Sequence, residues 1–181
     1  MSKIFGEIRQ LAFIVEDIDV AMQYWGDTLG IGPFFVKRKI QFSDYVYRGK
    51  AAASPVVSIA LANSGFMQIE LIQQHDNLPS IYKEFTDSGQ KGLQHVSSWL
   101  TTKELEQKTS ELSIKGYGIA QQCTIASSGV KLVYMSCENG PASFIFEMSD
   151  LNEPHHYERV MNIKAAYEKW DGVTNVEEVQ V

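Results

Sequence analysis

The run Gln10-Leu11-Ala12-Phe13-Ile14-Val15 is dense in apolar and β-branched residues. Glu16-Asp17 follow it, and then Ile18, Ala21, Met22, Trp25 and Leu29 at helical spacing. This reads as a strand followed by an amphipathic helix, closed by Gly30 and Gly32. The same order returns later in the chain. His95-Val96-Ser97-Ser98-Trp99-Leu100 is a second strand, Thr101-Thr102 a cap, Leu105 and Leu112 mark the helix, and Gly116 ends it. Laid over one another, Leu11 meets Val96, Val15 meets Leu100, Val20 meets Leu105 and Leu29 meets Ile114. An internal repeat of this kind decides the architecture before any single element does.

After each helix the pattern turns to β. In the first copy, residues 33–40, 45–47, 56–62 and 66–73 are expected strands, with Asn63-Ser64-Gly65 as a turn. In the second, residues 119–125, 130–135 and 142–148 take that part, with turns at Ser127-Ser128-Gly129 and Asn139-Gly140-Pro141. The chain therefore reads β-α-β-β-β twice, an α+β fold. A first module occupies 7–78, a linker with a short helix 79–91, a second module 92–150, and a helical extension 151–181. The linker helix carries Ile81, Tyr82 and Phe85 on one side. The C-terminal helix is expected to be capped by Asn152, to accept Pro154 in its first turn, and to run to about Trp170.

A length of 181 residues with 44% apolar and 21% charged residues is globular and argues against disorder. Lys and Arg total 16 against 22 Asp and Glu, a net charge of −6 that repels a phosphate backbone, so nucleic acid is not an expected partner. The longest apolar runs, 11–15 and 55–62, fall far short of the ~20 residues of a membrane helix. The first ten residues mix Lys3, Glu7 and Arg9 and do not read as a secretory signal, which makes the cytoplasm the expected location. Cys123 and Cys137 flank the hairpin tip at 126–129. Pairing about that tip sets Cys123 opposite roughly residue 132, so a disulfide between them is not expected.

Strand alternation then singles out polar residues on apolar strands. Leu11, Phe13 and Val15 face the helix, leaving Gln10, Ala12 and Ile14 on the other side. Met67, Ile69 and Leu71 likewise leave Gln68, Glu70 and Ile72. Phe144 and Phe146 leave Ile145 and Glu147, and His95 shares its face with Ser97 and Trp99. Gln10, Glu70, His95 and Glu147 thus stand on the face away from the helices, one from the first and one from the last strand of each module. Each alone is ordinarily a solvated or simply hydrogen-bonded side chain. Their symmetry gives them weight, because an imidazole, two carboxylates and an amide oxygen make a mixed set suited to one divalent ion: zinc, nickel, cobalt, manganese or iron(II).

The runs 8–30, Met67-Gln68-Ile69-Glu70-Leu71, Gly92-Leu93-Gln94-His95-Val96 and Phe144-Ile145-Phe146-Glu147 resemble the vicinal oxygen chelate superfamily. That superfamily includes glyoxalase I, methylmalonyl-CoA epimerases, extradiol dioxygenases and metal-free bleomycin-resistance proteins. The resemblance covers about residues 7–150. It implies two βαβββ modules whose curved mixed sheets form a cup, followed here by the C-terminal helix. It also implies metal ligands at Gln10, Glu70, His95 and Glu147. Extradiol dioxygenases and methylmalonyl-CoA epimerases usually carry His at the first of these places, whereas the order Gln, Glu, His, Glu resembles glyoxalase I of the single-His type.

What the resemblance implies is an enzyme, a metal-dependent lyase or isomerase. It polarises a chelated oxygen of a small-molecule substrate and moves the adjacent proton through an enediolate. Glu147 is the expected base, with Glu70 passing the proton on the other side. A homodimer is the expected assembly. Trp99, Gln68, Ser97, Arg48 and Tyr47 are candidates to contact substrate. Two other readings stand beside this one: a metal-free binding or resistance protein that uses the cup only as a pocket, and an extradiol-type dioxygenase.

Other features carry less. His155 and His156, adjacent on a helix, diverge by ~100° and do not readily grip one ion. His75-Asp76 follows the Glu70 strand and reads as a loop at the rim. Lys37-Arg38-Lys39 with Arg48 and Lys50 is the one basic cluster of an acidic chain, either solvated or turned to an anionic tail. Phe34, Phe35, Tyr45, Tyr47, Phe66 and Trp99 are aromatics that a cup can use as lining.

Overall fold

The computed structural model describes residues 2–136, 145–173 and 176–178. In chain order the elements are β1 (Gln10–Ile14), α1 (Ile18–Leu29), β2 (Phe34–Ile40), β3 (Phe42–Tyr47), β4 (Lys50–Ala51), β5 (Val57–Ser64), β6 (Met67–Gln74) and α2 (Ile81–Asp87). Then come β7 (Gly92–Trp99), α3 (Thr102–Ile114), β8 (Gly118–Ile125), β9 (Lys131–Ser136), β10 (Ile145–Ser149), α4 (Pro154–Lys169) and β11 (Val176–Glu178). The mixed α+β architecture and its large curved sheet are those the repeat implies. The turn at 139–141, Phe144 and Cys137 lie outside the described residues. Cys123 is a buried free thiol opposite Leu132.

Local chemistry sets the two outer helices. Asp17 caps α1 by accepting from the amides of Asp19 (2.9 Å) and Val20 (3.0 Å), and Gly30 ends it at φ 67°, where a side chain is disfavoured. Thr101 and Glu104 form a reciprocal capping box at the start of α3. The α1 residues Ile18 and Met22 then bury against Ile69 and Leu71 of β6 and Phe34 and Val36 of β2, while Leu105 and Leu112 of α3 bury against Val96, Phe146 and Met148. Each such fully buried side chain contributes about 1.5–3 kcal/mol. A third cluster fills the concave side, where Ala12, Ile14, Ile72 and Leu132 meet Ile81 and Tyr82 of α2.

The sheet runs β11-β2-β5-β6-β1-β7-β10-β9-β8-β3-β4. Its centre is the antiparallel pair β1–β7, flanked by β6 parallel to β1 and β10 parallel to β7. This corrects the sequence reading in one respect. The strand that contains residues 45–47 does not stay with the first copy, because β3 pairs with β8 of the second. Only Gln41 separates β2 from β3, so one continuous stretch of chain joins opposite ends of the sheet and draws the cup closed. At its far end Glu84 of α2 accepts from both Arg48 (2.7 and 2.9 Å) and Tyr47, clamping the end of β3 to the linker helix.

The extension also differs from expectation. Asn152 does not cap α4; its amide donates to the Trp99 carbonyl (2.7 Å), and Glu153 takes the cap position without a side-chain bond. α4 crosses the open side of the cup, and the chain then adds β11 in parallel to the β2 edge. The Trp170 ring seats this return against Gly32, where a Cβ would come within 2.9 Å of its Cζ2.

Two outcomes follow. Gly32→Ala is expected to cost about 1–3 kcal/mol by overpacking and to speed hydrogen exchange in α4 while the β1–β7 amides stay protected. Burial pushes the Glu84 carboxyl up, but Arg48 and Tyr47 outweigh it and hold it below the usual range. The clamp therefore stabilises the fold above the unfolded-state value of about 4.3 and is lost as pH falls through the lower folded value. Arg48→Met should move the Glu84 titration, followed by carboxyl NMR shifts, upward.

Candidate metal centre

Four central strands carry the site in two adjacent rows. Across the sheet, Gln68, Gln10, Ser97 and Glu147 stand in one row, and Glu70, Ala12, His95 and Ile145 in the next. All of these side chains point to the concave face, because residues two apart on a strand share a side. Gln10 and Glu147 therefore lie in one row and Glu70 and His95 in the other. The pairing of the two copies, not loop geometry, brings the four together.

Glu70, His95 and Glu147 each place a ligand atom within 4.8 Å of the others. His95 Nε2 stands 3.4 Å from Glu147 Oε2 and 3.5 Å from Glu70 Oε2, at ion-pair distance and too long for a close hydrogen bond. His95 Nε2, Glu70 Oε2 and Gln10 Oε1 are all buried without a hydrogen-bond partner. Unpaired buried polar atoms are costly, and three converging from different strands are what a bound cation would satisfy. The donor set of one imidazole nitrogen and three oxygens fits a divalent ion.

Supporting bonds aim these atoms. Gln10 Nε2 donates to Gln68 Oε1 (2.8 Å), which fixes the amide at the cavity floor and leaves its carbonyl oxygen without a partner. Ser97 Oγ donates to Glu147 Oε1 (2.6 Å), and the Tyr134 hydroxyl, itself bonded to Tyr82 (2.9 Å), also reaches Glu147. Gln94 Oε1 engages His95 Nδ1, leaving Nε2 for a ligand. Neighbours on a regular strand point to opposite faces. Here the register slips at Ala12/Phe13, with Ala12 opposite His95 and Phe13 opposite Leu93, so Gln94 is the extra residue of a bulge and reaches the His95 side.

Electrostatics follow from burial and proximity. Burial disfavours the His95 imidazolium, but the Glu147 and Glu70 carboxylates at ion-pair distance outweigh it and hold the group up to about 9. Burial pushes Glu70 up. It also disfavours the charge on Glu147, yet His95, Ser97 and Tyr134 together hold that group below its usual range.

Of the substrate-contact candidates, Gln68 and Ser97 stand at the site, committed to Gln10 and Glu147. Tyr47 and Arg48 are committed to Glu84. Trp99 is buried under the Arg9 guanidinium (4.8 Å from the ring) and does not line the cavity described below. Among the six aromatics considered for lining, Phe35 alone does so; Phe34 packs under α1, and Phe66 is 79% exposed. His75 bonds Ser58 (2.7 Å) and Asp76 accepts from the amides of Val56 and Leu78, so that pair braces a loop. Tyr82, Tyr134 and Gln94 were not foreseen. Two are apolar-looking core aromatics, and the third depends on a bulge that has no single-residue signature.

A cavity of about 450 Å³ opens above the carboxylates, with Gln10, Gln68, Glu70 and Glu147 on its floor and mostly apolar walls. Among the described residues no helix is long and apolar enough to cross a membrane.

A cup built from two βαβ-type repeats, with candidate ligands on the paired first and last strands, defines a class. The profile of the Glyoxalase/Bleomycin resistance protein/Dioxygenase superfamily matches residues 9–134, and the chain belongs to that superfamily. The fold is similar to that of methylmalonyl-CoA epimerase from Mycobacterium tuberculosis (TM-score 0.55, 15% identity, 82% of this chain and 91% of that one). It is similar also to a hypothetical protein from Bacillus halodurans C-125 (TM-score 0.53, 15% identity, 79% and 92%). No curated protein matches the sequence.

Gln94→Leu is expected to weaken divalent-metal binding about 10–100-fold by releasing the His95 ring, measured by competition with a chromophoric chelator. Because His95 holds its proton up to about pH 9 in the metal-free site, metal uptake at pH 7 should release a proton. Calorimetry in buffers of different ionisation enthalpy reads that release.

Proposed function

We propose that the protein is a metal-dependent lyase or isomerase that moves a proton on a carbon next to a chelating oxygen of a small-molecule substrate. The observation that carries this reading is the convergence of unpartnered Gln10, Glu70 and His95 atoms beside Glu147 on the floor of a cavity. When bound there, a divalent ion supplies Lewis acidity, polarising a substrate oxygen and acidifying the adjacent C–H. Gln10, Glu70, His95 and Glu147 are the residues that would hold it.

The remaining work falls to the two carboxylates, and their surroundings differ. Glu147 is tethered by Ser97 and Tyr134, an arrangement suited to a fixed ligand. Glu70 Oε2 has no hydrogen-bond partner, and burial raises its proton affinity, which suits a group that takes a proton and gives it back. These bonds favour Glu70 as the base and Glu147 as the anchor, the reverse of the assignment expected from sequence. The likeness to an epimerase supports the fold of such an enzyme and leaves its substrate open among hemithioacetals, acyl-CoAs and hydroxy-ketones.

Elemental analysis of protein purified without chelator is expected to find about one divalent ion per chain, lost in His95→Ala. Turnover of a responsive member of a substrate panel should fall about 10²–10⁴-fold in Glu70→Gln with metal retained, whereas Glu147→Gln should chiefly lose metal. Retention of metal and loss of turnover in Glu147→Gln alone would return the role of base to that residue. Failure of the wild type to take up zinc, nickel or manganese would remove the enzymatic reading.

A further inference from the structure

The C-terminal helix α4 brings to the cavity side chains that lie beyond the superfamily match, which ends at residue 134. His156, Arg159 and Val160 line the cavity together with Lys37 and Phe35 of β2, and Arg159 lies close enough to Lys37 to act on its charge. The basic cluster of the sequence is here divided by strand alternation and by pairing. Arg38 leaves for Asp19 (2.7 Å) and Arg48 for Glu84 (2.7 Å), while Lys37 turns inward. The side chains of Lys37 and Arg159 make no hydrogen bond or ion pair among the described residues.

Two like charges close together at the β2–α4 junction work against seating α4, so they are not there to hold the helix down. Burial and the nearby Arg159 both hold the Lys37 ammonium below its usual range. The acids that share the cavity, Glu70 and Glu147, are turned to His95. A second, independent observation concerns His156. Its side chain is only 3% exposed and lines the same cavity, its Nδ1 is buried without a partner, and its Nε2 lies 3.9 Å from Asp150, beyond hydrogen-bond reach. Two cations with no ion-pair partner among the described residues, beside a buried ring nitrogen free to bond, leave a place that an anion can fill, with Nδ1 of His156 as donor in the tautomer that carries its proton there.

We propose that Lys37, Arg159 and His156 form an anion subsite at the mouth of the cavity, which holds the carboxylate of an amphipathic organic acid whose apolar body lies along the cavity wall. The wall suits such a body, since Ile40, Ile59, Leu61, Ile125, Val130 and Leu132 line it. The proposal rests on reading the cavity as a substrate pocket and assigns that substrate's class: a molecule with a chelating oxygen at one end and a carboxylate at the other.

The test uses octanoate and octan-1-ol, equal in chain length and different in charge, titrated calorimetrically into the full-length protein. Octanoate is expected to bind about tenfold more tightly. Lys37→Met and Arg159→Gln should each remove most of that preference and leave octan-1-ol unchanged. Equal binding of the two probes, an equal loss of both in the variants, or no octanoate binding at millimolar concentration overturns the subsite. His95→Ala separates this result from the metal reading. Octanoate binding kept in His95→Ala and lost in Arg159→Gln supports a subsite independent of the metal. Octanoate binding lost in His95→Ala but kept in Lys37→Met and Arg159→Gln overturns the subsite and leaves the metal site standing.

Discussion

Everything at the floor of the cup depends on one strand pair. β1 and β7 run antiparallel, with Gln10 opposite Ser97 and Ala12 opposite His95. That register decides which side chains become neighbours, because a slip of one residue would turn every polar group of a strand to the helix side. Hydrogen bonding along β1–β7 joins the two copies of the repeat, and the parallel pairs on either side carry Glu70 and Glu147 into place. The convergence of Gln10, Glu70, His95 and Glu147 on one face of the sheet is therefore a property of the seam between the copies. Neither copy holds more than two of the four groups.

Around that seam the molecule balances opposing demands. Three acidic or imidazole groups are buried in a small volume, where charge is costly, and the surrounding bonds distribute the cost unevenly. Ser97 and Tyr134 stabilise charge on Glu147, Gln94 orients His95, and Glu70 is left with the least support. The asymmetry is what the proposed division of labour rests on, since two carboxylates in identical surroundings would not be divided into an anchor and a proton carrier.

Much of this was legible from residue order. The repeat at Gln10 and His95 and the alternation of polar and apolar residues on four strands located Gln10, Glu70, His95 and Glu147, because period-two patterning records which face is buried. Other parts left no local trace. The crossing of β3 to β8 is a choice of pairing partner, made by edges far apart in sequence. The role of Gln94 depends on a bulge, and the commitment of Arg48 and Tyr47 to Glu84 depends on where α2 docks. Asn152 has the chemistry of a helix cap, yet its amide found a better acceptor in the Trp99 carbonyl. Tertiary competition of this kind is invisible to propensity.

The single-residue link at Gln41 has a kinetic consequence. A chain folding from its N-terminus can pair β1, β5 and β6 and dock α1 early, since all of these lie within the first copy. The only local partner of β3 among the described residues is the two-residue β4, which pairs with Val46 and Tyr47. Its other edge must wait until β8 has been synthesised and set against β9, so that edge stays unpaired while the rest of the sheet assembles. Such long-range closure slows folding. It also leaves a short apolar strand with Phe42, Tyr45 and Val46 open to the edges of other molecules in the interval. The crowding of the finished cup is thus matched by a vulnerable step on the way to it.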